Sequence, residues 1–113
     1  MTYQKYLAYI GDYKELGSAA QLLGQIGFPP DRTLTANSLI TAVDIIAAVA
    51  ENDLKTLVEI SGLSMARFAA KYTVPYRTVQ DWCLDHRSPA NYITMLIGWA
   101  MISELPTEDI KGD

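Results

Sequence analysis

The sequence predicts an all-α domain, and three observations carry that expectation. Apolar residues recur at three- and four-residue spacing in successive segments. Residues that cap or break helices (Ser, Thr, Asp, Gly and Pro) fall between those segments. Half of the 113 residues are hydrophobic and only 19% are charged, enough for one modest core and too apolar for disorder over most of the length.

The elements follow in order. Tyr3, Tyr6, Leu7 and Ile10 stand at helical spacing, with a break expected near Gly11 and Asp12. A second apolar set comprises Leu16, Ala19, Ala20, Leu23 and Ile26, with Gly27 as its stop. Gly17 and Gly24 weaken that helix, since an interior Gly costs about 1 kcal/mol relative to Ala. Phe28 to Arg32 is a loop, because its consecutive prolines cannot continue a helix. A helix is expected from about Ser38 to Ala50, capped by Thr35 or Asn37. Leu39, Ile40, Val43, Ile46, Ala47 and Ala50 form its apolar stripe. Ile45 and Val49 extend that surface to another side, which places the helix centrally. Asp53 caps a short helix from Leu54 to Ser61, with Leu54, Leu57, Val58 and Ile60 inward and Gly62 at its end.

Residues 62–89 are the most informative stretch. Ser64 caps a helix from Met65 to Tyr72 in which Met65, Phe68, Ala69 and Tyr72 share one face. Arg67 and Lys71 lie on another face. Thr73, Val74 and Pro75 make a turn, with Val74 pointing into the core and Pro75 at the first position of the next helix. That helix runs to about Asp85. Val79, Trp82 and Cys83 form its apolar back; Arg77, Gln80, Asp81 and Leu84 form the face open to a partner. After Arg87-Ser88-Pro89, a helix from about Ala90 to Ser103 is apolar on nearly every side, the pattern of a helix buried in a core or at a subunit contact. The tyrosines at 3, 6 and 9 and the apolar residues of 92–102 exceed what one small core covers, so a homodimer is expected.

Two helices joined by a tight turn, the second with a polar exposed start, are the layout of a helix-turn-helix that lays its second helix in the major groove of DNA. Charge agrees locally. The whole chain carries −4, with a pI near 4.8, the wrong sign for binding DNA by bulk charge. Residues 1–60 hold four cations against seven acids, and residues 91–113 one against four. Residues 61–90 hold Arg67, Lys71, Arg77 and Arg87 against Asp81 and Asp85, a local +2.

Residues 62–89 resemble the phage-repressor family (lambda-repressor or Cro, also called XRE-type) through Leu63-Ser64, Phe68-Ala69, Val74-Pro75, Arg77-Thr78-Val79, Trp82 and the Arg87-Ser88-Pro89 exit. The resemblance implies a lambda-repressor-like helix-turn-helix domain of about five helices, here with an N-terminal helical extension. It divides the chain into the extension (1–34), the DNA-binding domain (35–105) and an acidic flexible tail (106–113). It implies a motif core of Phe68, Ala69, Val74, Val79 and Trp82. By position, Tyr76, Arg77, Gln80 and Asp81 face bases. Arg77 suits a guanine and Gln80 an adenine edge; Asp81 suits a cytosine amine or orients Arg77. Ser64, Arg67 and Arg87 are the phosphate positions. The chain departs from the family at Met65, commonly Gln; at Thr73 and Asp85, commonly Gly; at Cys83, commonly Glu; and at Leu84, an exposed position that is often polar.

Other chemistries find little support. His86 and Cys83 are two potential metal ligands with no third Cys or His, so no metal site is expected. The glycines are scattered and form no phosphate loop, one histidine makes no triad, and no cofactor or enzymatic activity is expected. One cysteine forms no intramolecular disulfide, and no secretory leader opens the chain, so a cytoplasmic location is expected. Leu39 to Ala50, the longest apolar run, is interrupted by Thr41 and Asp44 and is too short for a membrane span. The expected function is a sequence-specific, repressor-like regulator of transcription that binds double-stranded DNA as a homodimer. The alternative is a protein-interaction module, an antitoxin-like or regulatory partner, that keeps the fold and binds DNA weakly or not at all.

Overall fold

The computed structural model describes residues 1–26 and 34–107. Among them are seven helices and no strand. They are α1 (Tyr3–Leu16), α2 (Ala19–Ile26), α3 (Ala36–Ala50), α4 (Leu54–Ser61), α5 (Met65–Lys71), α6 (Tyr76–Cys83) and α7 (Asn91–Ser103). The expected stop at Gly27 and the loop from Phe28 to Arg32 lie outside the described residues, as does the tail beyond Thr107. Thr107 itself bridges Leu34. Among the described residues no helix is long and apolar enough to cross a membrane.

Side-chain caps set most helix starts. Thr2, Ser18, Thr35, Asp53 and Ser64 each accept from the backbone N–H three residues on, at 3.1–3.2 Å. The break in the N-terminal segment is not at Gly11 but six residues later. Gly11 stays within α1, where nothing lies within 4 Å of the Cβ it lacks, while Gly17 ends the helix at φ +80°. A left-handed C-terminal residue closes a helix, and a glycine there suffers no Cβ clash.

The core centres on α3, which packs against α1, α2, α4 and α7. Its buried face is Ser38, Ala42, Val43, Ile45, Ile46, Ala48 and Val49. The expected stripe is therefore rotated. Ile40 is 48% exposed, Ile45 is fully buried, and Leu39, Ala47 and Ala50 sit at the margin. A helix covered by four neighbours buries more than one stripe, so apolar spacing alone does not locate its outward side.

The N-terminal tyrosines do not form spare surface. Tyr6 is fully buried and its hydroxyl donates to the carbonyl of Met95 in α7 at 2.7 Å. Its ring and that of Tyr3 pack on Trp99 at centroid distances of 5.3 and 5.4 Å. Burial pushes the Tyr6 phenol well above the usual tyrosine range. Thus α1 covers part of α7 within one chain. What α7 leaves outside is Tyr92, 61% exposed, and Leu96, 53% exposed.

Three helices close by the same turn. In each, a residue with left-handed backbone follows the C-cap: Asn52 after α3, Thr73 after α5 and Asp85 after α6, at φ 54°, 57° and 60°. The N–H one residue further donates to the carbonyl five residues earlier: Asp53 to Ala48, Val74 to Ala69 and His86 to Asp81, at 2.8–2.9 Å. This is the Schellman arrangement, which favours glycine at the left-handed position. Asn and Asp tolerate that backbone; β-branched Thr73 is strained in it. Thr73→Gly is therefore expected to raise stability by roughly 0.5–1 kcal/mol, the relieved strain less the added entropy of the unfolded chain. Asp85→Gly should gain less. A lower melting temperature for Thr73→Gly than for the parent would contradict the assignment of strain.

Candidate nucleic-acid interface

The expected helix-turn-helix corresponds to α5 and α6. Phe68 and Ala69 of α5 and Val79 of α6 are buried, and Val74 in the turn is half-buried against the same core. Trp82, placed on the apolar back of α6, is half-buried and borders a polar groove between the α3–α4 turn and the 85–89 loop. Its indole therefore packs one side of α6 without closing it. Pro75 is the N-cap of α6 rather than its first helical residue, and α6 ends at Cys83, short of the expected Asp85. Proline has no side-chain acceptor, so the first turn of α6 has no side-chain cap.

The four residues expected to face bases all lie on α6. Tyr76 and Arg77 are exposed, and Gln80 and Asp81 are half-buried. Asp81 is directed toward His86, with Oδ1 3.4 Å from Nδ1, and its backbone carbonyl accepts from the N–H groups of His86 and Arg87. Arg77 has no ion-pair partner among the described residues, so the alternative in which Asp81 orients Arg77 is replaced by an Asp81–His86 pair. Spacing on the helix puts Arg77 and Asp81 side by side; the turn that brings His86 back over the last carbonyls is not visible in that spacing.

The residues expected to meet phosphate, Ser64, Arg67 and Arg87, are also at the surface. Ser64 Oγ accepts from the N–H of Arg67 at 3.2 Å and keeps its hydroxyl proton to donate. Arg67 and Arg87 are exposed, and neither is ion-paired among the described residues. Lys71 differs. Its ammonium lies 2.9 Å from Glu104 Oε2, beyond the end of α7. That hydrogen bond raises the Lys71 pKa and withdraws the charge from the motif's outer surface. Three arginines of the motif, 67, 77 and 87, thus have no ion-pair partner among the described residues.

Asn52 is a residue that composition and spacing do not single out. From its left-handed position it donates to the carbonyl of Pro89 at 2.8 Å and accepts from the buried hydroxyl of Thr94. It ties the end of α3 to the loop bearing Arg87 and to the first turn of α7. The signal available in sequence was only its place in Glu51-Asn52-Asp53, a polar punctuation between two apolar helices. Cys83 is buried, and burial raises its thiol pKa, which makes it a poor nucleophile or metal ligand. The described residues hold no group of three or more His, Cys, Asp or Glu placed to bind a metal.

No protein-family model, curated protein or solved structure matches the chain.

Proposed function

We propose that this protein is a sequence-specific DNA-binding regulator that sets α6 in the major groove and binds as a homodimer. One observation carries the reading: the outer start of α6 presents Tyr76 and Arg77, exposed, on a helix whose back is fixed by Val79 and Cys83. Arg67 and Arg87 flank that helix in sequence, unpaired and exposed, within the only net-positive segment of the chain. Two further features support it. The two positions where the resembled family carries glycine, Thr73 and Asp85, both have left-handed backbone. The uncapped first turn of α6 leaves backbone N–H groups for an anion.

The α7 surface fits the dimer. Between Asn91 and Ser103 there is no Asp, Glu, Lys, Arg or His, and Tyr92 and Leu96 stand out from it. In a two-fold contact a patch meets its own copy, so a charge there would meet its like. An acidic chain can self-associate most readily through such a charge-free face. Leu96→Glu is expected to convert a dimer to a monomer in sedimentation at micromolar concentration. A wild-type chain that sediments only as monomer contradicts the dimer.

Gel-shift titration with genomic fragments at low and physiological salt tests DNA binding itself. Retention of particular fragments at low salt, falling steeply as salt rises, is expected. No retention of any fragment at low salt would leave the protein-interaction reading in its place. That second reading is favoured by the apolar groove formed by Met65, Cys83 and Leu84.

A further inference from the structure

Arg87 sits in a loop that is fastened on either side of it. Before it, the N–H groups of His86 and Arg87 both donate to the carbonyl of Asp81 and hold the loop to the end of α6. After it, the Asn52 side chain donates to the carbonyl of buried Pro89 at 2.8 Å. Between these points Arg87 and Ser88 are exposed, so little packing restrains them. Asn52, Arg87 and Ser88 line the same groove, which sets the fastening residue beside the arginine although the two are far apart in sequence.

The demands on position 52 are narrow. Its backbone is left-handed, at φ 54°, a region that Asn and Gly enter at least cost. The Pro89 carbonyl can only accept, so the Asn52 amide turns its NH2 toward it. Its Oδ1 then accepts from the hydroxyl of Thr94, which is fully buried in α7. That hydroxyl keeps the amide from rotating. The position therefore uses a left-handed backbone, a donor and an acceptor together. Asp lacks the donor, and Gly lacks both donor and acceptor.

We propose that Asn52 is a positioning residue for Arg87: by holding the Pro89 carbonyl it orders the loop in the free protein, so that Arg87 meets a DNA phosphate without the loop having to be ordered on binding. The phosphate contact rests on the DNA reading above. The ordering of the loop does not, and it is measured without DNA.

Asn52→Gly keeps the left-handed backbone and the charge and removes both side-chain hydrogen bonds. In the free protein, 15N relaxation of the Arg87, Ser88 and Ala90 amides is expected to show order parameters falling from about 0.85 toward 0.6 or below. Thr94→Val leaves Asn52 in place and removes only the hydroxyl that orients it. It should loosen the same amides less, and it decides the question if Asn52→Gly does not fold. On duplex DNA, Asn52→Gly should weaken binding by about three- to tenfold, as partial loss of one hydrogen bond to a charged group does, and should flatten the salt dependence by up to about one unit. In an Arg87→Ala background it should add no further loss, whereas with Arg67→Ala the two losses should multiply. A merely structural role would weaken every background alike. Amides that stay rigid in both variants overturn the proposal, as does an equal loss from Asn52→Gly with and without Arg87. A wild-type chain that retains no duplex overturns the DNA reading and the phosphate contact with it, while the amide measurement still decides whether Asn52 holds the loop.

Discussion

Gly98→Ala is expected to destabilise the protein by about 2–3 kcal/mol, as overpacking a filled core does. The same change at Gly11 should stabilise it by roughly 0.5–1 kcal/mol. Both glycines lie inside helices, and alanine is the better helix former at each. Their surroundings separate them. Nothing lies within 4 Å of a Cβ built on Gly11. A Cβ on Gly98 would run into the Cγ2 methyl of Val49 and stand 2.7 Å from the Tyr6 hydroxyl. Neither neighbour yields easily. Val49 is β-branched and stiff within α3, and the Tyr6 hydroxyl is committed to the Met95 carbonyl. Gly98 is thus where α1, α3 and α7 meet. For a chain of this size each kcal/mol moves the melting point by about 4 °C, so the two variants should diverge clearly in thermal denaturation. Equal shifts, or a more stable Gly98→Ala, would mean that these three helices do not meet as described.

The elements themselves were largely legible in the residues, because caps and stops act locally. Asp53, Ser64, Thr35 and Gly62 mark the boundaries they were expected to mark. What sequence could not supply was the third dimension. The outward side of α3 depends on α1, α2, α4 and α7 together, and so Ile40 was expected inside and is exposed. Gly98 resembled any other helix glycine until Tyr6 and Val49 were seen against it. On α6, the exposure of Arg77 was readable from the pattern of the helix, while Tyr76 was placed only by the resemblance. The pairing of Asp81 with His86 was not, nor the loss of Lys71 to Glu104, since both depend on where the chain turns after a helix ends.

Arg77→Ala is expected to weaken binding at a preferred DNA site by about 1–3 kcal/mol and to relax base preference at the position it contacts. Arg67→Ala should instead weaken binding to all sequences alike and flatten the salt dependence by about one unit. The difference follows from placement. Arg77 is exposed at the open end of α6, while Arg67 is exposed on α5, the supporting helix. With three unpaired arginines in the motif and a net charge of −4, little non-specific affinity stands behind these contacts. Competition titrations against matched and scrambled duplexes measure both variants. If Arg77→Ala loses affinity equally for matched and scrambled duplexes, no base is read at that position.

Selection from a pool of random duplexes at low salt is the sharpest test of the proposal that α6 reads DNA sequence. Enrichment of an inverted repeat is expected, with half-site centres about one helical turn, or a multiple of it, apart, as a two-fold pair of recognition helices requires. The Arg77→Ala protein should not enrich the same repeat. A pool that stays random through successive rounds with the wild-type chain, while the protein remains folded, would contradict the account.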